Sequence, residues 1–303
     1  MSVLAELPQG SAVAVVRLRS LGDCVLTTPA LHLLKSARPD LRIGVVVEER
    51  FAAVFRDSPD VSAVLGPSVS DVRRFRPTLC INFHGGTRSA TMTALSGARL
   101  RAGFAHYRNS AAYNLQIPRA QEILGEERPV HTAEHLASAM FWLGVPRMEI
   151  PGATLPGKAP KTPGLAVIHA VAATLEKTWP AANFLAIARE LRSAHGMESV
   201  FIGGPGDDLP AFSGEFRTIV GAPLERTFQL MAGAGLFVGN DSGPAHIAAA
   251  FRVPVVVLFG PSDRAVWAPW RTENVVLQAD PITGIPVDQV KAAMASLRAG
   301  VRQ

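Results

Sequence analysis

Short apolar runs alternate with segments of helix length along the whole chain. In the first half, strands are predicted at residues 12–18, 42–48 and 78–83, with helices through Leu33 and Leu34 and at 131–143. In the second half, strands are predicted at 165–170, 199–203, 236–239 and 254–259, and helices at 181–194, near 224–232, at 244–251 and at 287–297. This alternation is typical of an α/β protein with parallel sheets covered by helices on both faces.

A proline- and glycine-rich stretch separates the two halves. Residues 151–164 contain four prolines and three glycines, the composition of a linker. A length of 303 residues leaves room for two domains. We therefore predict two lobes, residues 1–156 and 157–303, and the C-terminal helix has the option of packing back toward the first lobe.

Composition narrows the class of protein. With 48% hydrophobic and 18% charged residues, the chain has enough apolar surface to build large cores. Two cysteines, Cys24 and Cys80, exclude a disulfide framework and a four-thiolate zinc site, which favours a reducing compartment. No apolar run reaches the roughly 20 residues of a membrane-crossing helix, and no basic lead precedes an apolar N-terminal stretch. The expected location is the cytoplasm, either free or peripheral on the inner membrane.

Positive charge is concentrated in one window. The net charge is +5, and no acidic residue occurs between Val72 and Gln121. The arginines of this window are Arg73, Arg74, Arg76, Arg88, Arg99, Arg101, Arg108 and Arg119. Each alone is most simply a solubilising side chain, but together they favour an anionic ligand or surface. Nucleic acid is not the expected partner, because the nearby aromatic residues show no repeated stacking pattern.

Asp23 is the first candidate for chemistry. A predicted strand leads into Gly22-Asp23 and then a helix, so Asp23 lies where ligands bind parallel sheets. Its carboxylate can serve as a general base, or it can simply cap the helix. Sequence spacing does not separate these two roles.

The strongest local signal is the turn from Gly239 to His246. A strand ends, and a helix begins with free N–H groups, which bind phosphate readily. Asp241 would repel a phosphate beside it and suits sugar hydroxyls, whereas Ser242 and the Gly243 N–H suit the anion. The alternative is an ordinary capping turn, with His246 satisfied inside the helix.

Two further loops follow predicted strands of the second half. Lys177, after the strand ending at Ala170, can neutralise a diphosphate or can be an ordinary solvated lysine. In Gly203-Gly204-Pro205-Gly206, the glycines suggest close approach of a ligand, but this is not a dinucleotide fingerprint. Asp207 or Asp208 can hold ribose hydroxyls or cap the next helix.

Several short motifs occur in a fixed order across nearly the whole chain. They are Val15-Val16-Arg17 with Leu21-Gly22-Asp23 and Thr28-Pro29-Ala30-Leu31, Asn82-Phe83-His84-Gly85 with Arg88-Ser89, His131 with Glu134, Lys177-Thr178-Trp179-Pro180, Asp241-Ser242-Gly243 through His246, and Leu258-Phe259-Gly260-Pro261-Ser262-Asp263. This set resembles the heptosyltransferase family, family 9 of the glycosyltransferases. The resemblance implies a GT-B type fold, with two Rossmann-like lobes whose parallel sheets face a central cleft.

The resemblance also implies a reaction and its residues. It implies an inverting transfer of heptose from ADP-heptose to a Kdo/heptose acceptor of the lipopolysaccharide inner core, with Asp23 as general base. The donor-binding residues would lie in the second lobe and are Thr174, Lys177, Asp207, Asp208, Asp241, Ser242, Gly243 and His246. The acceptor-binding residues would lie in the first lobe and are Arg73, Arg74, His84, Arg88 and Arg101.

The implied partners are small molecules and lipid. They are a nucleotide-sugar donor and an anionic glycolipid at the inner face of the cytoplasmic membrane, with no stable protein partner, no cofactor and no obligatory metal. Val171, Ala172 and Ala173 stand where relatives often carry hydroxyl residues, and a cysteine-containing insertion of many members is missing. A transferase of the same family with another sugar or acceptor, a GT-B-like epimerase or hydrolase, and a nucleotide-binding module without catalysis remain open alternatives.

Overall fold

The computed structural model describes residues 2–300 and divides into two compact units, one ending at Pro156 and one beginning at Gly157. Within the described residues, no helix combines the length and the apolar character that a membrane crossing requires.

The first unit is built on a fully parallel sheet. Its strands are β1 (Ala12–Val16), β2 (Arg42–Val46), β3 (Ala63–Leu65), β4 (Leu79–Asn82), β5 (Leu100–Phe104) and β6 (Leu115–Ile117). Its helices are α1 (Leu21–Ala37), α2 (Val69–Phe75), α3 (Thr87–Ala94), α4 (Ala120–Leu124) and α5 (Thr132–Leu143). In the part of the chain that is described, the strand order is β3-β2-β1-β4-β5-β6. All five residues of β1 are buried, as expected for a central strand covered on both faces.

The second unit repeats this plan. Its strands are β7 (Thr162–His169), β8 (Glu198–Gly203), β9 (Arg217–Val220), β10 (Ala234–Asn240), β11 (Val255–Phe259) and β12 (Asn274–Gln278). Its helices are α6 (Ala181–His195), α7 (Pro210–Ser213), α8 (Leu224–Gly233), α9 (Gly243–Ala250), α10 (Arg264–Trp267) and α11 (Val287–Gly300). Between residues 157 and 300 the strand order is β12-β11-β10-β7-β8-β9, again parallel. The C-terminal helix α11 packs on α6 and on β11 and β12 of its own unit.

In both sheets, successive strands are added first toward one edge and then, from the centre, toward the other edge. In the first unit the chain runs outward from β1 to β3 and then restarts at β4, which pairs with β1. In the second unit the same restart places β10 beside β7. The carboxyl ends of the strands at such a switch point leave a crevice in which doubly wound proteins bind ligands. The two switch points are therefore the candidate ligand-binding regions of the two units.

The strongly apolar segments fold as the sequence predicts, with small changes at their ends. The strand predicted at 12–18 stops at Val16, and the stretch predicted as linker at 151–164 gives its last residues to β7. The short strands β3, β5, β6, β9 and β12 were not predicted. Four of these form the sheet edges, where a strand is half exposed and carries a weak hydrophobic signal.

Candidate active site

Asp23 lies at the switch point of the first sheet, just inside helix α1. Its Oδ1 lies 3.3 Å from Arg17 Nη1, and its Oδ2 accepts hydrogen bonds from the Ser20 hydroxyl (3.0 Å) and the Ser20 N–H (3.4 Å). Arg17 follows β1 directly and is only 6% exposed, whereas the Asp23 side chain keeps 23% of its surface accessible. Ser20 is the N-cap, so Asp23 completes a capping box as the third helical residue. The carboxylate is fixed on both oxygens and still reachable.

His84 and Tyr107 share the surroundings of Asp23. Burial lowers the pKa of His84, and the positive charges of Arg17 and Arg19 lower it further. Burial raises the pKa of Tyr107 to about 12, and its hydroxyl donates to the Phe83 carbonyl oxygen at 3.2 Å. Both groups are therefore uncharged near pH 7, whereas Arg17, Arg19 and Asp23 supply charges that act on this region. Asp23, Arg17, His84 and Tyr107 are called the Asp23 cluster below.

A buried asparagine shapes the loop that carries His84. Asn82 ends β4, and its side-chain Oδ1 accepts from the backbone N–H groups of His84 (2.9 Å) and Gly85 (3.1 Å). Its Nδ2 donates to Ser89 Oγ at 3.1 Å and Tyr113 Oη at 2.8 Å, so every polar atom of the side chain is used. Gly85 has a φ of +77°, and a Cβ there would come within 3.0 Å of the Tyr107 ring. The motif around Asn82 therefore builds a turn of fixed shape beside the switch point.

The five predicted acceptor-binding residues do not form one group. Arg88 is the second residue of α3, which begins at the carboxyl edge of the sheet, as the His84 loop does. Arg73 and Arg74 lie in the last turn of α2, which returns to the amino edge, and Arg101 is the second residue of β5 at that same edge. Only His84 and Arg88 thus lie at the edge that carries Asp23.

The expectation of one acid-free anion-facing surface is also corrected. Acids outside the window pair with several of its arginines: the flanking Asp71 and Glu122 lie 2.8 Å from Arg74 and Arg119, and Glu48, distant in sequence, lies 3.9 Å from Arg88. The guanidinium of Arg101 instead donates to the backbone carbonyls of Ala98 and Ala112. The arginines also lie at both edges of the sheet, because parallel strands and their return helices send neighbouring sequence positions to opposite edges.

The His131 and Glu134 motif has a structural role here. His131 is the N-cap of α5, and its Nδ1 accepts a hydrogen bond from the Ala133 N–H at 3.1 Å. Glu134 accepts from the His131 N–H at 3.1 Å and pairs with Arg128 at 2.8 Å. The motif therefore holds the first turn of the helix.

Ser242 lies at the switch point of the second sheet. It is the N-cap of α9 and follows Asn240, the last residue of β10. Its Oγ donates to the Asn240 carbonyl oxygen at 2.9 Å and lies 3.0 Å from Nδ1 of His169, the last residue of β7. Burial lowers the pKa of His169 to about 4, so the imidazole is neutral near pH 7. The N-terminus of α9 carries the positive end of a helix dipole and suits an anion.

The loop of Lys177 is tied to the same turn. Lys177 Nζ lies 3.6 Å from Asp241 Oδ2, and the lysine side chain is 34% exposed. Two residues later, the Trp179 N–H donates to Asn240 Oδ1 at 3.1 Å, and the Trp179 indole N–H donates to the Ile285 carbonyl at 3.0 Å. Trp179 is fully buried and thereby fixes where the lysine loop stands. We call this group the Ser242 cluster, and its members are His169, Lys177, Asn240, Asp241 and Ser242.

Other predicted donor-binding residues lie around this cluster. Thr174 is exposed and its hydroxyl lies 3.4 Å from Glu176 Oε1, just before a single 3₁₀ turn that ends at Lys177. His246 is buried inside α9. Gly243, the first residue of α9, brings its backbone to the turn.

The structure distinguishes Asp207 from Asp208. Asp207 Oδ2 accepts from the Gly204 N–H at 2.7 Å, and its charge acts to raise the pKa of His169, so it lies on the side of the Ser242 cluster. Asp208 is exposed. The N-cap of α7 is Leu209, so neither aspartate caps that helix.

Sequence reasoning missed His169, Asn240, Arg17 and Tyr107 as site residues. The sequence carried a signal for two of them. Arg17 directly follows an apolar, β-branched run, and His169 closes an apolar strand, so both lie at the carboxyl end of a predicted strand. Among the described residues, no group of three or more His, Cys, Asp or Glu side chains is arranged to hold a metal ion.

The chain is similar to several known proteins in sequence and in fold. The model of glycosyltransferase family 9 (heptosyltransferase) matches residues 71–286. Lipopolysaccharide heptosyltransferase 3 of Escherichia coli is 27% identical over 304 residues, covering 88% of each chain. A family 9 glycosyl transferase from Veillonella parvula has a TM-score of 0.82 at 21% identity, over 95% of this chain and 97% of the other. E. coli heptosyltransferase WaaC with ADP has a TM-score of 0.78 at 21% identity, over 94% and 99%.

These matches confirm the fold class and the family expected from the sequence. Two similar structures span nearly the whole chain, so the protein has the two-lobed α/β fold of GT-B type. The family model covers well over half of the residues, including the Lys177 loop and the Ser242 turn. The chain belongs to glycosyltransferase family 9 (heptosyltransferase).

Proposed function

We propose that this protein is an inverting heptosyltransferase that moves heptose from ADP-heptose to a sugar of a lipopolysaccharide inner-core acceptor. The observation that carries the proposal is the Ser242 cluster, where a lysine, a serine hydroxyl and a helix N-terminus converge at a switch point. Such a set of donors suits a diphosphate. The names of similar proteins support the nucleotide and the sugar: one is a lipopolysaccharide heptosyltransferase, and one structure holds ADP.

The first unit would supply the base. In this scheme Asp23 takes the proton of an acceptor hydroxyl, and the oxygen attacks the anomeric carbon from the side opposite the nucleotide. Arg17 and Ser20 hold the carboxylate in one orientation, so little reorganisation is needed when the proton moves. General base catalysis of this kind contributes roughly 10²- to 10⁴-fold.

The second unit would stabilise the leaving group. As the new glycosidic bond forms, the bond from the anomeric carbon to the diphosphate oxygen breaks, and ADP departs with the electron pair. Lys177, Ser242 and the Gly243 N–H at the start of α9 would stabilise that negative charge. Asp241, paired with Lys177, is left to accept hydrogen bonds from sugar hydroxyls. Because these groups supply the stabilisation, we propose that no metal is obligatory; transfer that fails in EDTA and returns with Mg²⁺ would contradict this.

The direct test is a transfer assay with purified protein. ADP-heptose, a UDP-sugar and a GDP-sugar are each offered with acceptors ending in Kdo or in heptose, and products are identified by mass spectrometry. We expect product with ADP-heptose and an inverted anomeric centre by NMR. Transfer from a UDP- or GDP-sugar instead would show another donor, and release of free sugar without acceptor would show a hydrolase.

The place of action follows from the acceptor. A lipopolysaccharide precursor is an anionic glycolipid, so we propose a cytoplasmic enzyme that meets it at the inner face of the cytoplasmic membrane. Flotation with vesicles that contain the acceptor, compared with vesicles that lack it, measures this association. Equal recovery with both vesicles would contradict recognition of the acceptor itself.

A further inference from the structure

The hydroxyl of Ser242 has two polar neighbours and only one proton to share. The Asn240 carbonyl oxygen, 2.9 Å away, can only accept a hydrogen bond, so it takes the serine proton. His169 Nδ1, 3.0 Å away, must then be the donor in the second contact. The geometry therefore assigns one tautomer to His169, with the proton on Nδ1.

We infer that His169 is a positioning residue for the donor diphosphate, acting through Ser242. The inference rests on the proposed function for the identity of the anion. With Nδ1–H donating to Ser242 Oγ, the serine oxygen stays in place while its own proton turns from the Asn240 carbonyl to a phosphate oxygen. Without that donor, the hydroxyl loses the contact that orients it toward the ligand.

The surroundings of His169 support this role. The residue is 7% exposed and pairs in register with Gly239 of β10, where an added Cβ would come within 2.9 Å of the His169 carbonyl oxygen. The two strands are therefore closely packed at this level, and the imidazole has little freedom to move away. Burial keeps the ring neutral near pH 7, so it has one N–H donor.

The first test measures ADP affinity by titration calorimetry. His169→Asn places an amide N–H near the position of Nδ1, whereas His169→Leu removes the donor. We expect His169→Leu to weaken ADP binding about tenfold, because the Ser242 hydroxyl loses its hydrogen bond to the charged phosphate. The ADP affinity of His169→Asn should stay within about threefold of that of the natural protein. Ser242→Ala should weaken binding by a similar factor, and adding His169→Leu to it should have little further effect.

Two results would overturn the inference. One is unchanged ADP affinity in His169→Leu, and the other is full additivity of His169→Leu and Ser242→Ala, which would show that the histidine does not act through the serine. The substitution Lys291→Ala, on α11 of the same unit, is the matched control for affinity. Thermal unfolding of each variant identifies any that fail to fold.

A second test needs no substitution. In ¹⁵N-labelled protein at neutral pH without ligand, the nitrogen resonances of His169 report which ring nitrogen carries the proton. We expect the proton on Nδ1, and a proton on Nε2 alone would overturn the inference. If sugar transfer fails but ADP affinity and the tautomer follow these expectations, the inference holds for a nucleotide site and the proposed function does not.

Discussion

Arg17 Nη1 lies 3.3 Å from Asp23 Oδ1, and the two residues flank the turn between β1 and α1. The arginine is almost completely buried, and Asp23 supplies the negative charge of the Asp23 cluster that pairs with it. The same carboxylate also completes the capping box of α1 with Ser20. Asp23 therefore has a structural role that is independent of any catalysis, and an experiment on its function has to separate the two.

Asp23→Asn and Arg17→Met together provide that separation. Asp23→Asn alone leaves a buried guanidinium without its partner, so we expect the free energy of unfolding to fall by about 2 kcal/mol, somewhat less than for a fully buried pair. Adding Arg17→Met removes the unpaired charge and should restore most of the stability. Urea unfolding measures both changes.

The double variant should regain stability but not sugar transfer. We expect at least about a 100-fold loss of transfer in both the single and the double variant, with ADP affinity unchanged, because the base is missing in each. Turnover that returned in the double variant would show that Asp23 serves the fold alone.

Lys177 and Asp241 form the second pair to be tested. We expect Lys177→Ala to weaken ADP binding about 100-fold, because it removes a positive charge and leaves the Asp241 carboxylate unpaired next to the diphosphate. Adding Asp241→Asn removes that repulsion and should recover about tenfold of the affinity. Calorimetry with ADP measures both steps, and Lys291→Ala, whose lysine pairs with Glu190 at 3.4 Å, is the control. Equal affinities of Lys177→Ala and the double variant would mean that Asp241 does not face the ligand.

The arginines at opposite edges of the first sheet give a third prediction. Arg88 is 59% exposed, donates to the Pro67 carbonyl at 2.8 Å and lies at the edge of Asp23. We expect Arg88→Ala to raise KM for the acceptor several-fold and to leave KM for the donor unchanged. Arg74→Ala and Arg101→Ala change residues at the other edge and should alter neither value. An acceptor KM that rises in these two variants and not in Arg88→Ala would place the acceptor elsewhere.

The sequence predicted the central strands and the site loops better than it predicted which side chains meet. Buried β-branched runs such as β1 and β11 carry an unambiguous pattern. Asp23 and Ser242 lie at the starts of the helices that follow the buried strands β1 and β10, so their place at a carboxyl edge could be predicted. Edge strands of three residues, such as β3, bury too little apolar surface to stand out. The arginine window failed because linear proximity says nothing about which edge of a parallel sheet a residue reaches.

Partners within the site were beyond sequence reasoning for a similar reason. His169 and Ser242 are more than 70 positions apart, and only the restart of strand order that sets β10 beside β7 brings them together. The family resemblance identified site residues that lie in the matching motifs, such as Lys177. It gave no indication that Trp179 and Asn240 tie the lysine loop to the serine turn.

Two histidines with strongly lowered pKa values, the buried His169 and the partly buried His135, predict how the free energy of unfolding depends on pH. Burial lowers the pKa of both His135 and His169 to about 4, from a usual value of 6.5, and His135 also stacks on Phe104 with ring centroids 3.9 Å apart. Between pH 6.5 and 4 the unfolded chain binds protons that the folded chain excludes, so the free energy of unfolding falls as the pH falls. From pH 7.5 to 5 we expect a loss of about 2 kcal/mol for each histidine, measured by urea unfolding.

Substitutions assign that loss to the two rings. His135→Phe keeps an aromatic ring against Phe104, and His169→Asn keeps a neutral donor beside Ser242. Each substitution should remove about 2 kcal/mol of the loss of stability between pH 7.5 and 5. The double variant should keep only the smaller loss that comes from His84 and His106, whose pKa values burial also lowers. A slope that stayed the same in both single variants would mean that neither ring excludes a proton in the folded protein, and His169 would then be free to ionise beside Ser242. The pH dependence of unfolding is thus an independent check on the neutral imidazole that the donor site requires.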